Sequence, residues 1–276
     1  MASVTTRSGK GSALTHSEMD SNLNNLNTDK LESTDFKTIN GESIVGSGDI
    51  VLIQDIEPYG VTWNQDNDTY ARVGGSDFTH IQRKMRRVTL LANGTVNYYL
   101  GANDSTKKAN GTDAVLTGAD GNVMVEIPKF YHKYTYSNGT HNHMINLEPF
   151  EGASVHPAFV KNGVEVSNRY IGAYGASVSG STLISASGVY PAGSMTRGSF
   201  RTKAAAIGSG WALQDWNLIS AVQLLMLVEF GTFNSQAAIG QGRTQLSGGA
   251  WSNGSYIGIN GRSDTSGNAT GNHEYS

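Results

Sequence analysis

The stretch LISAVQLLMLVEF, residues 218–230, constrains the fold more than any other feature of the chain, because it is apolar on nearly every side. A helix of this kind has no face that it can leave to water, so the rest of the chain must surround it. Asp215 or Asn217 is expected to cap its N-terminus, and Gly231 is expected to end it. We therefore predict that this helix is the central core element.

The remainder of the chain is rich in turns and short strands. Glycine accounts for 34 of 276 residues, about twice its usual share, and Asn-Gly and Asp-Gly pairs separate short β-prone runs. A second helix is predicted from a cap at Thr196 to about Ala206. The fold class is therefore α+β, with two core helices in a loop-rich domain. The predicted strands are 88–91, 96–100, 123–127, 130–136 and 164–174.

Charge and cysteine content exclude several classes of protein. Charged residues make up 16% of the chain and the formal net charge is −3, so no basic surface for nucleic acid is expected. No apolar run is long enough to insert into a membrane, and no signal peptide is recognisable. Because the chain has no cysteine, thiolate catalysis is excluded. We predict a soluble protein that is made in a cytoplasm.

The N-terminal region divides into a flexible arm, residues 1–13, and an attachment and oligomerisation region, residues 14–58. A helix capped by Thr15 or Ser17 is predicted to run to about Leu31, followed by short strands or hairpins over 37–55. The apolar stripe of this helix is narrow, which suits packing against copies of itself in a short coiled coil. A frayed surface helix is the alternative. The candidate oligomerisation residues are Met19, Leu23 and Leu26.

Two resemblances to phage proteins follow from these segments. The polar helix and the following segment INGESIVGSGDI, within residues 14–53, resemble the N-terminal region of phage tail-fibre and related virion proteins. From residue 59 onward the chain resembles phage and prophage variable proteins with a C-type-lectin-like fold, of the formylglycine-generating-enzyme branch. The pieces that carry this second resemblance are YGVTWN, TYARVG, GNVMVEIPKFYHKY, VHPAFV, RYIGAY, FRTKAAAIGSGW and WNLISAVQLLMLVEFGTFNSQAAIGQGRTQLSGGAW.

The second resemblance implies a function as well as a fold. Residues 59–276 would form a lectin-like head that displays a receptor-binding surface at the end of a trimeric fibre. The expected partners are two further copies of the chain, other tail or baseplate proteins, and a host surface glycan or protein receptor, and the expected location is the virion. The family continues into a closing strand that this chain lacks, so we expect a head that is truncated or completed by a neighbour.

The C-terminal segment 247–276 is the predicted binding surface. Gly, Ser and Asn dominate it, so it cannot form a core of its own. Aromatic rings would supply stacking area, and polar side chains would supply hydrogen bonds. A disordered tail is the alternative interpretation. The candidate receptor-binding residues are Trp251, Asn253, Tyr256, Asn260, Arg262, Asp264, Asn268 and His273.

No catalytic residue, cofactor or metal site is predicted. His141-Asn142-His143 reads HNH but lacks the surrounding framework of a nuclease, and we expect it on a solvent-exposed hairpin. Asn64, Asp66 and Asp68 alternate like the start of a calcium loop without its glycine and glutamate, which indicates a turn. The chain is therefore predicted to be a structural binding protein and not an enzyme. A tail-associated glycan-degrading enzyme and a non-binding collar or decoration subunit are the alternatives.

Overall fold

In a computed structural model of the chain, the described residues are 6, 9, 11–28, 38–39, 42–43, 57–240 and 259–261. Backbone contacts divide the chain into two compact units, 1–55 and 56–276. Both helices and antiparallel sheets are present, and the fold is α+β with more strand than helix.

Among its described residues, the first unit contains a helix and a hairpin. Helix α1 spans His16–Thr28. Its N-terminus carries a capping box: the Thr15 hydroxyl accepts from the Glu18 N–H at 3.3 Å, and a Glu18 carboxylate oxygen accepts from the Thr15 N–H at 2.7 Å. Thr15 was one of the two predicted caps. Strands β1 (Thr38–Ile39) and β2 (Glu42–Ser43) pair antiparallel.

The second unit contains a five-stranded antiparallel sheet in the order β10-β8-β9-β3-β4. Strands β3 and β9 lie inside this sheet, with partners on both sides. The strands are β3 (Tyr59–Asn64), β4 (Thr69–Gly74), β8 (Tyr131–Ser137), β9 (Thr140–Asn146) and β10 (Ser154–Val155).

A four-stranded antiparallel sheet has the order β13-β7-β5-β6, and the described residues also form two small hairpins. The strands of this sheet are β5 (Arg86–Leu90), β6 (Val96–Tyr99), β7 (Asn122–Pro128) and β13 (Asn168–Gly172). The hairpins pair β11 (Val160–Lys161) with β12 (Val164–Glu165), and β14 (Ser177–Ser179) with β15 (Thr182–Ile184).

In the described part of the second unit the helices are α2 (His80–Lys84), α3 (Arg197–Ala205), α4 (Trp216–Phe230) and α5 (Ser235–Ile239), and a 3-10 turn spans Pro157–Phe159. Thr196 caps α3 and Asp215 caps α4, each by accepting a backbone N–H in the first turn. Gly231 ends α4 in the left-handed conformation, at φ 64°. These three predicted helix boundaries are confirmed.

Helix α4 packs into the largest buried cluster of the second unit, as its sequence predicts. Six of its side chains are buried. They meet Tyr59, Val61 and Ile145 of the five-stranded sheet, Ile127 of β7 and Phe159 of the 3-10 turn, all fully buried. Burial of this apolar surface on several sides of one helix is the main stabilising contribution that the geometry identifies.

The predicted strands at 88–91, 96–100, 123–127 and 130–136 are confirmed, with small shifts at their ends. The single strand predicted over 164–174 is wrong. It is divided into β12 and β13 because Val166 donates its N–H to the Phe159 carbonyl, and Ser167 accepts from the Lys129 N–H, so both residues bond outside these strands.

Among the residues that the structure describes, no helix combines the length and the apolar character needed to cross a bilayer.

Candidate functional site

The register of the five-stranded sheet arranges side chains in three ranks across one of its faces. Directly opposed residues on antiparallel neighbours point to the same side of a sheet, and residues two apart on one strand do so as well. The ranks are His132, Ile145 and Tyr59 (inner), Tyr134, His143, Val61 and Arg72 (middle), and Tyr136, His141, Trp63 and Tyr70 (outer).

Burial decreases from the inner rank to the outer rank. Tyr59 and Ile145 are fully buried, whereas Tyr134 and Tyr136 are 49% and 53% exposed. The end of α4 lies against the β4 side, where Arg72 donates to the Glu229 carbonyl. The part of the face near β8 and β9 therefore stays open to solvent.

The open part of the surface is a continuous set of rings, which we call the aromatic face. Trp63 stacks on His141 at 4.7 Å between ring centroids, and Tyr136 contacts His141 at 4.8 Å. Phe233, which is 54% exposed, meets Trp63 edge-on at 5.1 Å. The aromatic face consists of Trp63, Tyr134, Tyr136, His141 and Phe233.

A hydrogen-bond chain holds these rings in place. The Tyr134 hydroxyl lies 2.9 Å from His141 Nδ1, and His141 Nε2 lies 3.0 Å from Gln65 Oε1. Gln65 Nε2 donates to the Tyr136 hydroxyl at 3.2 Å. Because an amide oxygen only accepts, His141 Nε2 carries a proton, and in the neutral ring Nδ1 accepts from Tyr134. The donor and acceptor roles along this hydrogen-bond chain are thus assigned.

The turn between β3 and β4 supports the same surface. A single carboxylate oxygen of Asp68 accepts from Trp63 Nε1 and from the Tyr70 hydroxyl, both at 2.9 Å. Asn64 Oδ1 accepts from the Asp66 N–H at 2.9 Å. The alternating Asn and Asp residues therefore serve as turn and ring-orienting groups. In the described part of the chain, no group of three or more His, Asp or Glu side chains is placed to hold a metal.

Three histidines lie beneath the aromatic face. His132 Nε2 is 3.2 Å from His143 Nδ1, and their rings are nearly parallel. Burial, together with the neighbouring His143 and His156, lowers the pKa of His132 to about 4. Burial alone lowers the pKa of His156 to about 4, and burial also lowers that of His143. These rings are neutral packing groups at pH 7.

The prediction that His141 and His143 lie on a solvent-exposed hairpin is only partly correct. The turn at Asn138-Gly139 does join β8 to β9 as a hairpin, with both residues at positive φ. However, β9 also pairs with β3, so both histidines are half-buried between two strands.

Asn260 is the one predicted receptor-binding residue within the described part of the chain. Its N–H donates to the Val189 carbonyl at 3.0 Å and its carbonyl accepts from the Gly188 N–H at 2.9 Å. Its side-chain amide donates to the Gly175 carbonyl at 2.7 Å. Through these hydrogen bonds Asn260 connects the loops beside β14 and β15. The other seven predicted residues lie outside the described residues: Trp251, Asn253, Tyr256, Arg262, Asp264, Asn268 and His273.

Two of the predicted oligomerisation side chains are exposed on α1. Met19 is 40% exposed and Leu23 is 65% exposed. Leu26 lies within the same helix, but its side chain is outside the described part.

A second cluster of polar groups surrounds Glu126 on the four-stranded sheet. Glu126 is 4% exposed, pairs with Arg86 at 2.9 Å, and accepts from the Tyr170 hydroxyl at 2.9 Å. Burial, followed by the hydrogen bond to Glu126, raises the pKa of Tyr170 to about 12. Because these partners satisfy its carboxylate, Glu126 is a structural anchor of the sheet.

A cleft of about 810 Å³ lies next to β13. The guanidinium group of Arg169 in its lining already has partners, since Arg169 pairs with Asp215 at 2.6 Å and donates to the Ala158 carbonyl. Trp211, also in its lining, donates its indole N–H to the Ala92 carbonyl at 2.8 Å. The aromatic face, in which Tyr134, Tyr136 and Phe233 are each about half exposed, is the stronger candidate for a binding site.

Comparison of the chain with protein-family models, with curated proteins and with solved structures gave no match. The geometry of the second unit must therefore carry the functional argument.

Sequence reasoning missed the aromatic face although its signal is present. Tyr134 and Tyr136 are two apart, as are His141 and His143, and a spacing of two places side chains on one face of a strand. The assembly of three strands could not be read from this spacing, because strand order is set by tertiary pairing.

Proposed function

We propose that this protein is a structural virion protein, a phage tail-fibre subunit that recognises the host cell surface through a C-type-lectin-like head. The observation that carries the proposal is the aromatic face. Large aromatic side chains are normally buried, and a contiguous exposed group of them on a rigid sheet is typical of a recognition surface. The proposed role is binding without turnover.

The sequence resemblance supports the lectin-like head because its pieces coincide with structural elements. YGVTWN spans β3 and TYARVG spans β4. RYIGAY overlaps β13, and the longest piece begins with α4. Segments that resemble the family thus supply part of the sheet, the central helix, and three residues of the aromatic face: Trp63, Tyr134 and Phe233.

The exposed apolar side chains of α1 support the proposed oligomer. Leu23 and Met19 lie four residues apart, a spacing that places them on the same side of a helix. Packing of such stripes from three chains would bury them, in a homotrimer whose N-terminal region docks on other tail or baseplate proteins. The proposed location is the virion.

Binding of the fluorescently labelled full-length protein to a panel of bacterial strains tests this proposal. We expect binding to a subset of strains, and a loss of tenfold or more in the double variant Tyr134→Ala/Tyr136→Ala, because exposed aromatic anchors dominate recognition surfaces. Tyr190→Ala is the matched control, since Tyr190 is 51% exposed and lies outside the aromatic face.

Three outcomes would count against this proposal. Release of reducing ends from envelope polysaccharide would identify a glycan-degrading enzyme. Equal cell binding by the double variant and the wild-type chain would contradict recognition by the aromatic face. Absence of binding by the wild-type chain to every strain would favour a collar or decoration subunit.

A further inference from the structure

We propose that the aromatic face is a carbohydrate site that takes neutral hexose units of a surface glycan. This inference rests on the proposed function and names the ligand class of the same surface. Four features support it: the area of the face, its ring geometry, the polarity of its hydrogen-bonding groups and the charge at its border.

The exposed area suits a small rigid ligand. Tyr134, Tyr136 and Phe233 are each about half exposed, and aromatic side chains offer on the order of 200 Å² each, so together they present about 300 Å². A stable protein–protein interface needs about 800 Å² on each partner. The face is therefore too small to hold a protein on its own, but large enough for one or two sugar rings.

The rings form adjacent platforms of the kind that sugars stack on. Tyr134 and Tyr136 are two residues apart on β8, so their Cα atoms are about 7 Å apart. One face of a hexopyranose presents mostly C–H groups, which pack against a flat aromatic ring, while its hydroxyls point outward. Two neighbouring tyrosines can thus contact successive residues of a glycan.

The hydrogen-bonding groups around the rings can serve sugar hydroxyls. The Tyr136 hydroxyl accepts from Gln65, which directs its own proton toward a ligand. The Tyr134 hydroxyl donates to His141 and keeps lone pairs that can accept. A few oriented polar groups beside an apolar platform are what gives a small-molecule site its specificity.

The border of the face favours a neutral sugar over an acidic one. Asp66 and Asp68 occupy the turn that follows β3, next to Gln65. A Cβ built on Gly139, in the β8–β9 turn, would lie 2.5 Å from an Asp66 carboxylate oxygen, so that carboxylate is close to this edge. A uronate, sialate or phosphate group would be repelled there.

Isothermal titration of the full-length protein with oligosaccharides tests the inference. The probes are neutral gluco-, galacto- and manno-oligosaccharides, with uronic-acid-containing and sialylated oligosaccharides of equal length as the charged comparison. We expect at least one neutral series to bind, and its charged counterpart to bind at least tenfold more weakly.

The variants separate the contributions of the ring and the hydroxyl. Tyr136→Ala is expected to weaken binding tenfold or more, and Tyr136→Phe to weaken it severalfold, because the second variant loses only the hydrogen bond. Tyr190→Ala is expected to bind like the wild-type chain. Circular dichroism of each variant shows whether the fold is retained.

The outcomes distinguish this inference from the proposed function. If Tyr134 and Tyr136 are needed for cell binding, but no neutral oligosaccharide binds and protease treatment of the cells abolishes attachment, the receptor is a protein. The carbohydrate inference is then overturned while the proposed function stands. If the tyrosine variants change neither cell binding nor sugar binding, both are overturned.

Discussion

His156 is a buried histidine whose ring has a structural role. It is 5% exposed, and its Nδ1 accepts the Ala158 N–H at 3.2 Å, which caps the 3-10 turn that leads to Phe159. Phe130 and Phe159 pack against the ring. A proton on Nδ1 would remove the acceptor and place a charge among apolar side chains, so the site requires the neutral form.

Acid is therefore expected to destabilise the fold through His156. Its pKa is about 4 when folded against about 6.5 when unfolded, so its contribution to stability is complete above pH 6.5 and is lost as the pH falls toward 4. Between pH 7.5 and 4.5 this one group should lower the free energy of unfolding by about 2–3 kcal/mol. Urea unfolding at a series of pH values measures this decrease.

His156→Asn is the comparison for the acid prediction. An asparagine oxygen can still accept the Ala158 N–H, but the side chain does not titrate. The variant should be less stable at pH 7.5, because it loses contacts with two phenylalanines, and should lose less stability than the wild-type chain on acidification. If the free energy of unfolding falls equally with decreasing pH in the two proteins, His156 is not the titrating group.

At the scale of one residue, the sequence is informative where a side chain bonds its own segment. Thr196, Asp215 and Gly231 were predicted as helix boundaries because caps act within one turn. Glu126 could not be interpreted in this way, since Tyr170 comes from another strand, and the burial of the His156 ring depends on Phe130 from another element.

Helix α4 depends on its N-terminal cap at the scale of an element. Asp215 accepts the Leu218 N–H at 2.8 Å with one oxygen and pairs with Arg169 through the other. Asp215→Ala should lower the free energy of unfolding by about 1–2 kcal/mol, the usual cost of losing such a cap. Thermal or urea unfolding at pH 7 measures the change.

Asp215→Asn separates the cap from the ion pair. Asparagine keeps an oxygen for the Leu218 N–H, and the ion pair with Arg169 is expected to contribute little because the Asp215 side chain is 50% exposed. Asp215→Asn should therefore lower the free energy of unfolding clearly less than Asp215→Ala does. If both variants lose the same stability, the ion pair and not the cap stabilises the helix.

Strand pairing is the part of element structure that the sequence left open. Turn residues between short β-prone runs located β5, β6, β7 and β8, because such turn signals act within a few residues. The aromatic face needs β8, β9 and β3 to lie side by side. However, the last residue of β3, Asn64, precedes the first residue of β8, Tyr131, by 67 residues. Pairing over such a separation is decided by packing on α4.

The whole-molecule prediction concerns oligomeric state. The chain has a mass of 29.4 kDa, so the proposed homotrimer should scatter light as a particle of about three times that mass. Leu23→Glu should dissociate it, because a charge in the stripe is costly to bury. Ser21→Glu places the same charge away from the stripe and should leave the trimer intact.

A monomeric wild-type protein would contradict this prediction directly. If Leu23→Glu and Ser21→Glu both remain trimeric, the oligomer forms without the stripe on α1. Multi-angle light scattering of the three proteins at one concentration distinguishes these results.

The sequence by itself determined the structural features that depend only on residues close together along the chain. The buried helix α4, its boundaries and the turn-separated strands follow from a continuous apolar run, capping residues and turn residues, which act within a few residues. Only the tertiary structure decided where Trp63, Tyr134, Tyr136 and His141 would meet. Strand order and register are set by burial against the central helix, and that burial covers the inner ranks of one sheet face while leaving the outer aromatic rings exposed.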